Sequence, residues 1–350
     1  MPQPGAIPAE PLPAPPLVAT VIPCYRVRNH IAGVIEKIGP EVTWIFCVDD
    51  HCPEESGRYI ATTITDPRVR VLFHAHNQGV GGATITGIRA ALAEKCTVIV
   101  KLDGDGQMNP KLIPLLIEPI LKGRADYTKG NRFFDIEGLR QMPPVRIFGN
   151  AVLSFFAKAS TGYWNIFDPN NGFVAIHGHV AQLLPLDRIN RTFFFESDML
   201  FRLNTIGAVV QEIPMTAQYG HEKSNLVISK IIAPFLINHL GNLTKRIFYN
   251  YFLRGFSVVS IELFFSIILL FLGIIYGSLE WWESIVTGIA RPTGSVVLTA
   301  ILLLVGLQLF LGFLHFDISN LPRTPLQSFG SSLLRIKTLN SASGQTDEKN

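Results

Sequence analysis

Residues 103–107 read Asp-Gly-Asp-Gly-Gln and close a short apolar run, Val98 to Leu102. Two carboxylates one glycine apart, on a turn after a strand, offer hard oxygen donors to a divalent ion such as Mg2+ or Mn2+. They also leave coordination positions for diphosphate oxygens. Gly104 and Gly106 let the backbone approach a ligand, and Gln107 adds a neutral oxygen or orients a metal-bound water. A solvated Asp-Gly turn has the same letters, so the company these residues keep decides between the readings. The run Leu17 to Ile22 closes with Pro23-Cys24-Tyr25, and Trp44 to Val48 closes with Asp49-Asp50. Val69 to Phe73 leads into Asn77-Gln78-Gly79-Val80-Gly81-Gly82. Polar and special-backbone residues therefore gather where successive strands end, which no requirement of core packing produces.

The glycines at 79, 81 and 82 are not a dinucleotide fingerprint. They do not follow the first strand as GxGxxG, and no acid lies at the distance a ribose would need, which sets aside a nicotinamide enzyme.

The four runs are short, β-branched and bounded by turn residues, with helix-compatible stretches between them at His30–Ile38, Ala83–Ala93 and Pro110–Lys122. This alternation predicts an α/β domain over residues 17–225, with a mostly parallel sheet covered on both faces. Ligands on such sheets bind outside the carboxyl ends of the strands, where the residues above converge.

The 350 residues allow one large domain or two modest ones. With 48% hydrophobic and 16% charged residues, the bulk of the chain is not intrinsically disordered. Thirty basic against 27 acidic side chains give a net charge of +3, too weak a bias to indicate nucleic acid. Cys24, Cys47, Cys52 and Cys96 have neither paired spacing nor accompanying histidines, which argues against zinc and for a reducing compartment. Residues 1–16 are rich in proline and alanine, with no signal-peptide pattern, and are expected to form a disordered leader.

Two later segments differ in kind. Phe256 to Tyr276 and Val296 to Phe316 each approach the roughly 20 apolar residues that span a bilayer, so residues 255–317 are predicted as two transmembrane helices with a short loop. Glu262, near the start of the first, is expected to reach the interface or a neighbouring helix. Lys230, Lys245, Arg246 and Arg254 precede the pair, and Arg323, Arg335 and Lys337 follow it in a tail, 318–350. The loop offers Arg291 against Glu280 and Glu283. Both termini and the catalytic domain are thus expected on the cytoplasmic side of the inner membrane, with Trp281 and Trp282 of that loop in an aromatic belt opposite. Residues 226–254 mix apolar and basic positions, and Pro234 and Gly241 predict short amphipathic helices in the headgroup plane. A helix of the globular core is the competing reading. Apolar spans also make contacts between copies, and so a homo-oligomer, an expectation.

These motifs, taken in order, resemble glycosyltransferase family 2 with its GT-A nucleotide-sugar-binding fold, and within it the polyprenyl-phosphate branch that includes dolichyl-phosphate mannose synthase and GtrB-like enzymes. The matching stretches are Val21 to Tyr25, Val48-Asp49-Asp50, Asn77-Gln78-Gly79, Asp103 to Gln107, Gly130-Asn131-Arg132-Phe133, Asp168 to Phe173 and Phe195-Glu196-Ser197-Asp198. The resemblance covers residues 17–225 and extends in layout to the two spans. It implies that Pro23, Tyr25 and Asp50 hold the nucleotide base and ribose, that Asp103, Gly104, Asp105 and Gln107 meet the metal and donor diphosphate, and that Arg132 and Arg146 meet the phosphate of a lipid acceptor. Asp168, Glu196 and Asp198 are read either as groups orienting acceptor or sugar hydroxyls or as caps at a buried turn. Arg26 stands where the family has Asn, His51-Cys52 where it has small polar residues, and Lys223-Ser224 inverts a late Ser-Lys element, which leaves His221 and Lys223 without a fixed role.

The implied reaction suits the chemistry. A divalent ion neutralises the leaving diphosphate without a proton donor. A polyprenyl monophosphate, with a second pKa of about 6, is already largely dianionic at pH 7, so it needs cationic positioning more than a base. The alternative for both arginines is a surface pair with Asp135 or Glu137. Three rivals define what would change the reading: another membrane-associated acceptor; a processive polysaccharide synthase, which would carry Gln-x-x-Arg-Trp, absent from this sequence; and a non-catalytic membrane scaffold, which has no physical reason to aim carboxylates at one sheet edge.

Overall fold

The computed structural model describes residues 15–134, 144–215 and 228–330. His221, Lys223, Asp135 and Glu137, together with most of the expected leader and tail, lie outside the described residues. Among the described residues, strands β1 (Val18–Cys24), β2 (Trp44–Asp49), β3 (Val69–Phe73), β4 (Val98–Lys101), β5 (Tyr127–Asn131), β6 (Val174–His177) and β7 (Val210–Pro214) form one sheet in the order β3-β2-β1-β4-β6-β5-β7. All pairings are parallel except those of β6, which runs antiparallel to both β4 and β5. The sheet is therefore mostly parallel, as the sequence predicts. The reversed strand brings the segment before Val174 back to the edge where β4 ends.

Helices α1 (Ile31–Glu36), α2 (Ser56–Thr63), α3 (Gly79–Ala93) and α4 (Ile113–Leu121) fill the early crossovers. Next come α5 (Pro144–Thr161), α6 (Gly178–Leu183) and α7 (Phe195–Ile206). Strand residues alternate between two cores. Val21, Ile99 and Ile176 meet Ile85 and Ile88 of α3 and Phe195 and Leu200 of α7 on one face, and Ile22 and Val100 meet Ile31, Ile35, Leu116 and Ile117 on the other. Each such buried aliphatic side chain contributes about 1.5–3 kcal/mol relative to exposure, which is what holds the strand ends in place.

The chain then enters α8 (Ile228–Ile247), a π-helical segment, Phe248–Arg254, and two long helices, α9 (Val258–Thr287) and α10 (Thr293–Ser319). Both long helices have the length and composition to cross a membrane, and only 28% and 11% of their most apolar windows are buried. A helix of a soluble core would be covered. Small residues let the pair approach closely: a Cβ on Gly306 would come within 3.0 Å of Leu270, and one on Gly277 within 2.5 Å of Thr299. Glu262 reaches the neighbouring helix, where a Cβ on Gly312 would lie 3.2 Å from its Oε2.

The helices differ from the sequence expectation at two places. Pro234 and Gly241 do not divide the juxtamembrane stretch, because α8 runs through both. Proline already has a helical φ and loses one backbone hydrogen bond, which packing of the helix against the catalytic domain offsets. Trp281 and Trp282 lie in the last turns of α9 rather than in a loop, because the helix continues to Thr287, past the apolar run. In the remaining turn Arg291 pairs with Glu283 at 2.7 Å and donates to the Glu280 carbonyl at 3.1 Å.

Candidate active site

The site is assembled where β1, β2, β4 and β5 end. After β1, Pro23 is buried and Tyr25 is 44% exposed, with the Arg26 guanidinium 5.5 Å from its ring centre. Arg26 has φ 58°, in the left-handed region that asparagine tolerates better. What holds it there is the next strand end: the Arg26 amide donates to Cys52 Sγ at 3.0 Å, and the Val27 amide donates to Ser56 Oγ at 3.3 Å. Cys52 thus clips one loop to the other, a job its sequence position alone did not reveal.

Asp49 and Asp50 split their work. Asp49 accepts from the amides of Cys52 at 2.7 Å and Gly57 at 2.5 Å, closing the turn after β2. Asp50 is 2% exposed, pairs with His74 Nδ1 at 2.7 Å and accepts from the amides of Gln78 and Gly79 at 2.8 Å each. It ties the start of α3 to the site and presents almost no surface of its own to a nucleotide. The glycines that open α3 serve packing: Gly81 and Gly82 donate to the Arg191 carbonyl, and a Cβ on Gly81 would lie 2.6 Å from Asn190 O. These amides are committed to protein acceptors and form no phosphate cradle.

At the end of β4 the turn has the shape the Asp-Gly-Asp-Gly-Gln motif predicts. Asp103 and Asp105 are partly exposed and Gln107 is exposed, Gly106 sits at φ 79°, and the Gln107 amide donates to Asp105 Oδ1 at 3.0 Å. Beneath it is a residue that sequence reasoning passed over. Lys101 is 3% exposed, and its Nζ reaches Asp103 Oδ1 at 2.8 Å, Glu196 Oε1 at 3.2 Å and Gly172 O at 3.3 Å. Burial alone would pull this lysine down, but Asp103 and then Glu196 outweigh it and hold the ammonium above its ordinary range. Glycine at 172 leaves room for this bridge, since a Cβ there would lie 2.5 Å from Lys101 Nζ and 2.7 Å from Asp103 Oδ2 and would displace them. Hard oxygen donors on a turn, one held in place by a fixed cation and given room by a glycine, fit a small divalent ion.

The end of β5 supplies the second half. Arg132 makes a two-pronged pair with Asp168, Nε to Oδ2 at 2.8 Å and Nη2 to Oδ1 at 3.0 Å, and its side chain stays 36% exposed. Asp168 is 1% exposed, and both of its oxygens accept from Arg132. Glu212 on β7 supports the same loop, accepting from the amides of Phe167 at 2.7 Å and Asp168 at 2.8 Å and from Asn131 Nδ2 at 2.8 Å. Its burial raises its pKa against those amide bonds. Lys129, also fully buried, donates to the Asn171 carbonyl, and burial pulls it down to about 8 against the opposing pull of Glu196 and Asp168. Arg146 lies in the first turns of α5, where side chains are outside the described residues.

Glu196 and Asp198 are both bonded to neighbouring elements. Glu196 completes the Lys101 bridge, whereas Asp198 faces away, accepting from the Asn190 amide at 2.8 Å, Arg202 Nε at 3.1 Å and Asn242 Nδ2 of α8 at 3.1 Å. The structure thus brings Asp103, Lys101, Glu196 and Gly172 together and places Arg132–Asp168 at the far end of the same 168–172 segment. Asp50 and Asp198 are turned to neighbouring loops.

Known proteins agree with this architecture. The sequence model described as glycosyl transferase family 2 matches residues 20–182. An uncharacterized protein of Methanocaldococcus jannaschii is 31% identical over 203 residues, covering 58% of this chain and 82% of the relative. An undecaprenyl-phosphate mannosyltransferase of Micrococcus luteus is 29% identical over 203 residues, covering 57% of this chain and 82% of the relative. Among solved structures, mannosyl-3-phosphoglycerate synthase from Rubrobacter xylanophilus superposes with a TM-score of 0.50 over 69% of this chain and 77% of its own at 14% identity, a likeness of fold. With its motifs on the strand ends of a mostly parallel sheet, this chain belongs to glycosyl transferase family 2 and is a glycosyltransferase of the GT-A fold.

Proposed function

We propose that this chain is a membrane-bound, inverting glycosyltransferase that moves a sugar from a nucleoside diphosphate to a polyprenyl monophosphate at the cytoplasmic face of the membrane. The observation that carries this reading is the 168–172 segment. At one end Asp168 holds Arg132, and at the other Gly172 lies against Asp103 and Lys101. A cation suited to an anionic acceptor and carboxylates suited to a metal–diphosphate therefore share one short loop.

Asp103 and Asp105, with Gln107 beside them, would hold Mg2+ or Mn2+, which when bound supplies Lewis-acid stabilisation of the leaving diphosphate. Lys101 keeps Asp103 in one orientation, so the carboxylate need not reorganise as charge develops. Tyr25, exposed beside buried Pro23, offers a stacking surface for the base, and Asp50 fixes the adjoining loop. Arg132 positions the acceptor phosphate for direct displacement at the anomeric carbon. That phosphate is already ionised near neutral pH, so no general base is required of the chain.

Support for a lipid-borne acceptor comes from the named activity of the Micrococcus relative and from the two apolar helices that follow the catalytic domain. The lysines and arginines flanking the helical pair favour cytoplasmic placement of the catalytic domain. The test is incubation of purified full-length protein with undecaprenyl phosphate, Mg2+ or Mn2+, and a panel of UDP-, GDP- and dTDP-sugars, with lipid products identified by mass spectrometry. A glycosylated polyprenyl phosphate from one donor is expected. Transfer only to water-soluble acceptors would overturn the proposal.

A further inference from the structure

Asp317 is the one acidic residue in α10, and its carboxylate is 3% exposed. A buried charge near the end of a spanning helix is unfavourable unless it is fully partnered, and this one is. Arg246 Nη1 donates to Oδ1 at 2.6 Å and Nη2 to Oδ2 at 2.9 Å, the Tyr251 hydroxyl donates to Oδ1 at 2.5 Å, and Trp164 Nε1 donates to Oδ2 at 2.8 Å. Four donors on two oxygens use the capacity of a carboxylate. Arg246 also gives Nε and Nη2 to the Ala159 carbonyl, at 3.1 and 2.8 Å. A Cβ on Gly162 would lie 3.0 Å from Arg246 Nη1.

The donors come from three different parts of the molecule. Trp164 belongs to the catalytic domain, Arg246 to α8, and Tyr251 to the π-helical segment, while Asp317 belongs to the second spanning helix. Replacing a buried ion pair with apolar residues of similar volume is often neutral or stabilising, so stability alone does not account for this cluster. Its directional bonds fix register, which helix contacts through small residues do less strictly. Trp164 also begins the run Trp-Asn-Ile-Phe-Asp that ends at Asp168, the holder of Arg132. Rotation or sliding of the spanning pair would be transmitted along that run to the arginine.

We propose that Asp317 and its donors Arg246, Tyr251 and Trp164 are positioning residues that set the spanning helices in register with the catalytic domain, so that a phosphate carried by a bilayer-embedded lipid arrives at Arg132. This rests on the polyprenyl-phosphate reading above.

Full-length wild type, Tyr251→Phe, Asp317→Asn and the paired apolar change Arg246→Met with Asp317→Leu are reconstituted in phospholipid vesicles. Each is assayed with undecaprenyl phosphate in the bilayer and with a short, water-soluble prenyl phosphate, and nucleotide affinity is measured by titration. The paired change removes both charges together, so it keeps the test open should Asp317→Asn fail to fold. The variants are expected to raise KM for the embedded acceptor by about tenfold or more, with KM for the soluble acceptor and nucleotide affinity within about twofold of wild type. Equal loss with both acceptors, or no loss with either, would overturn the proposal. Wild type that transfers to neither acceptor would instead overturn the acceptor reading and, with it, the role assigned to the clamp.

Discussion

Lys101→Met separates a cation that organises the site from one that merely fills space. Methionine keeps most of the side-chain volume and removes the charge with its three donated bonds, to Asp103, Glu196 and the Gly172 carbonyl. The partners respond differently: the Asp103 side chain is 29% exposed and can turn to water, whereas Glu196 is 11% exposed and keeps a nearly buried carboxylate without its cation. Removing one partner of a buried pair costs about 3–5 kcal/mol, and the exposed half of this bridge places the expectation at the lower end, about 3 kcal/mol. For a catalytic domain of this size that is a fall in Tm of about 6–12 °C. The assay is thermal unfolding of detergent-purified protein, with Glu196→Gln added in the Lys101→Met background. The neutral amide no longer needs a cation, so most of the lost Tm returns. A Tm for Lys101→Met within about 2 °C of wild type, or no recovery with Glu196→Gln, would refute the bridge as the support of Asp103.

Asp105→Asn is expected to abolish sugar transfer while leaving Tm unchanged, and full activity in that variant would remove the metal assignment. Arg132→Ala should raise the acceptor KM by about tenfold or more with nucleotide affinity intact, and Asp168→Asn should fall between it and wild type because one carbonyl acceptor for the guanidinium remains. Comparable losses of donor and acceptor binding in Arg132→Ala would contradict the phosphate role. Burial, and for His177 the neighbouring His179, pushes His177 and His239 down to about 4 from an unfolded value of about 6.5. Each has a buried ring nitrogen without a protein acceptor, so neutral rings favour the fold. The stability they confer is present above pH 6.5 and lost as pH falls toward 4; Tm against pH should show that decline, and His177→Gln or His239→Gln should flatten it.

How far the sequence could be read follows from what each stretch has to satisfy. Trp44 to Asp49 and Val98 to Lys101 are strands because β-branched runs between turns leave few other options, and their acidic ends mark the site. The strand Tyr127–Asn131 reads Tyr-Thr-Lys-Gly-Asn, and nothing local predicts that its lysine is buried. That becomes possible only when Asn171, from a distant loop, offers its carbonyl. Lys101 was hidden for the same reason, since a lysine in an apolar run reads as an edge position until Asp103, Glu196 and Gly172 are brought around it. The reversal of β6 was equally illegible, because Val-Ala-Ile-His carries no sign of strand direction. The partners of Asp50 depended on which loop folds over it, since His74, Gln78 and Gly79 stand far along the chain from it.

The same logic explains α8, where the pattern of residues was visible but its sense was not. His239, Asn242 and Arg246 are 1%, 6% and 3% exposed, while Ile237 and Leu240 are 69% and 62% exposed and Phe248, just beyond the helix, is 58% exposed. A helix on a water-facing domain buries its apolar stripe and exposes its polar one. Here the polar residues are inside because they have partners there: Ser160 for His239, Asp198 for Asn242, and Asp317 for Arg246. The apolar residues are left for the surroundings to cover. Water would make this arrangement unfavourable by about 1.5–3 kcal/mol for each large aliphatic or aromatic side chain, and a lipid surface reverses the sign. The helix therefore packs against the catalytic domain through polar contacts, as a core helix would, and we propose that its exposed apolar side lies against the headgroup plane.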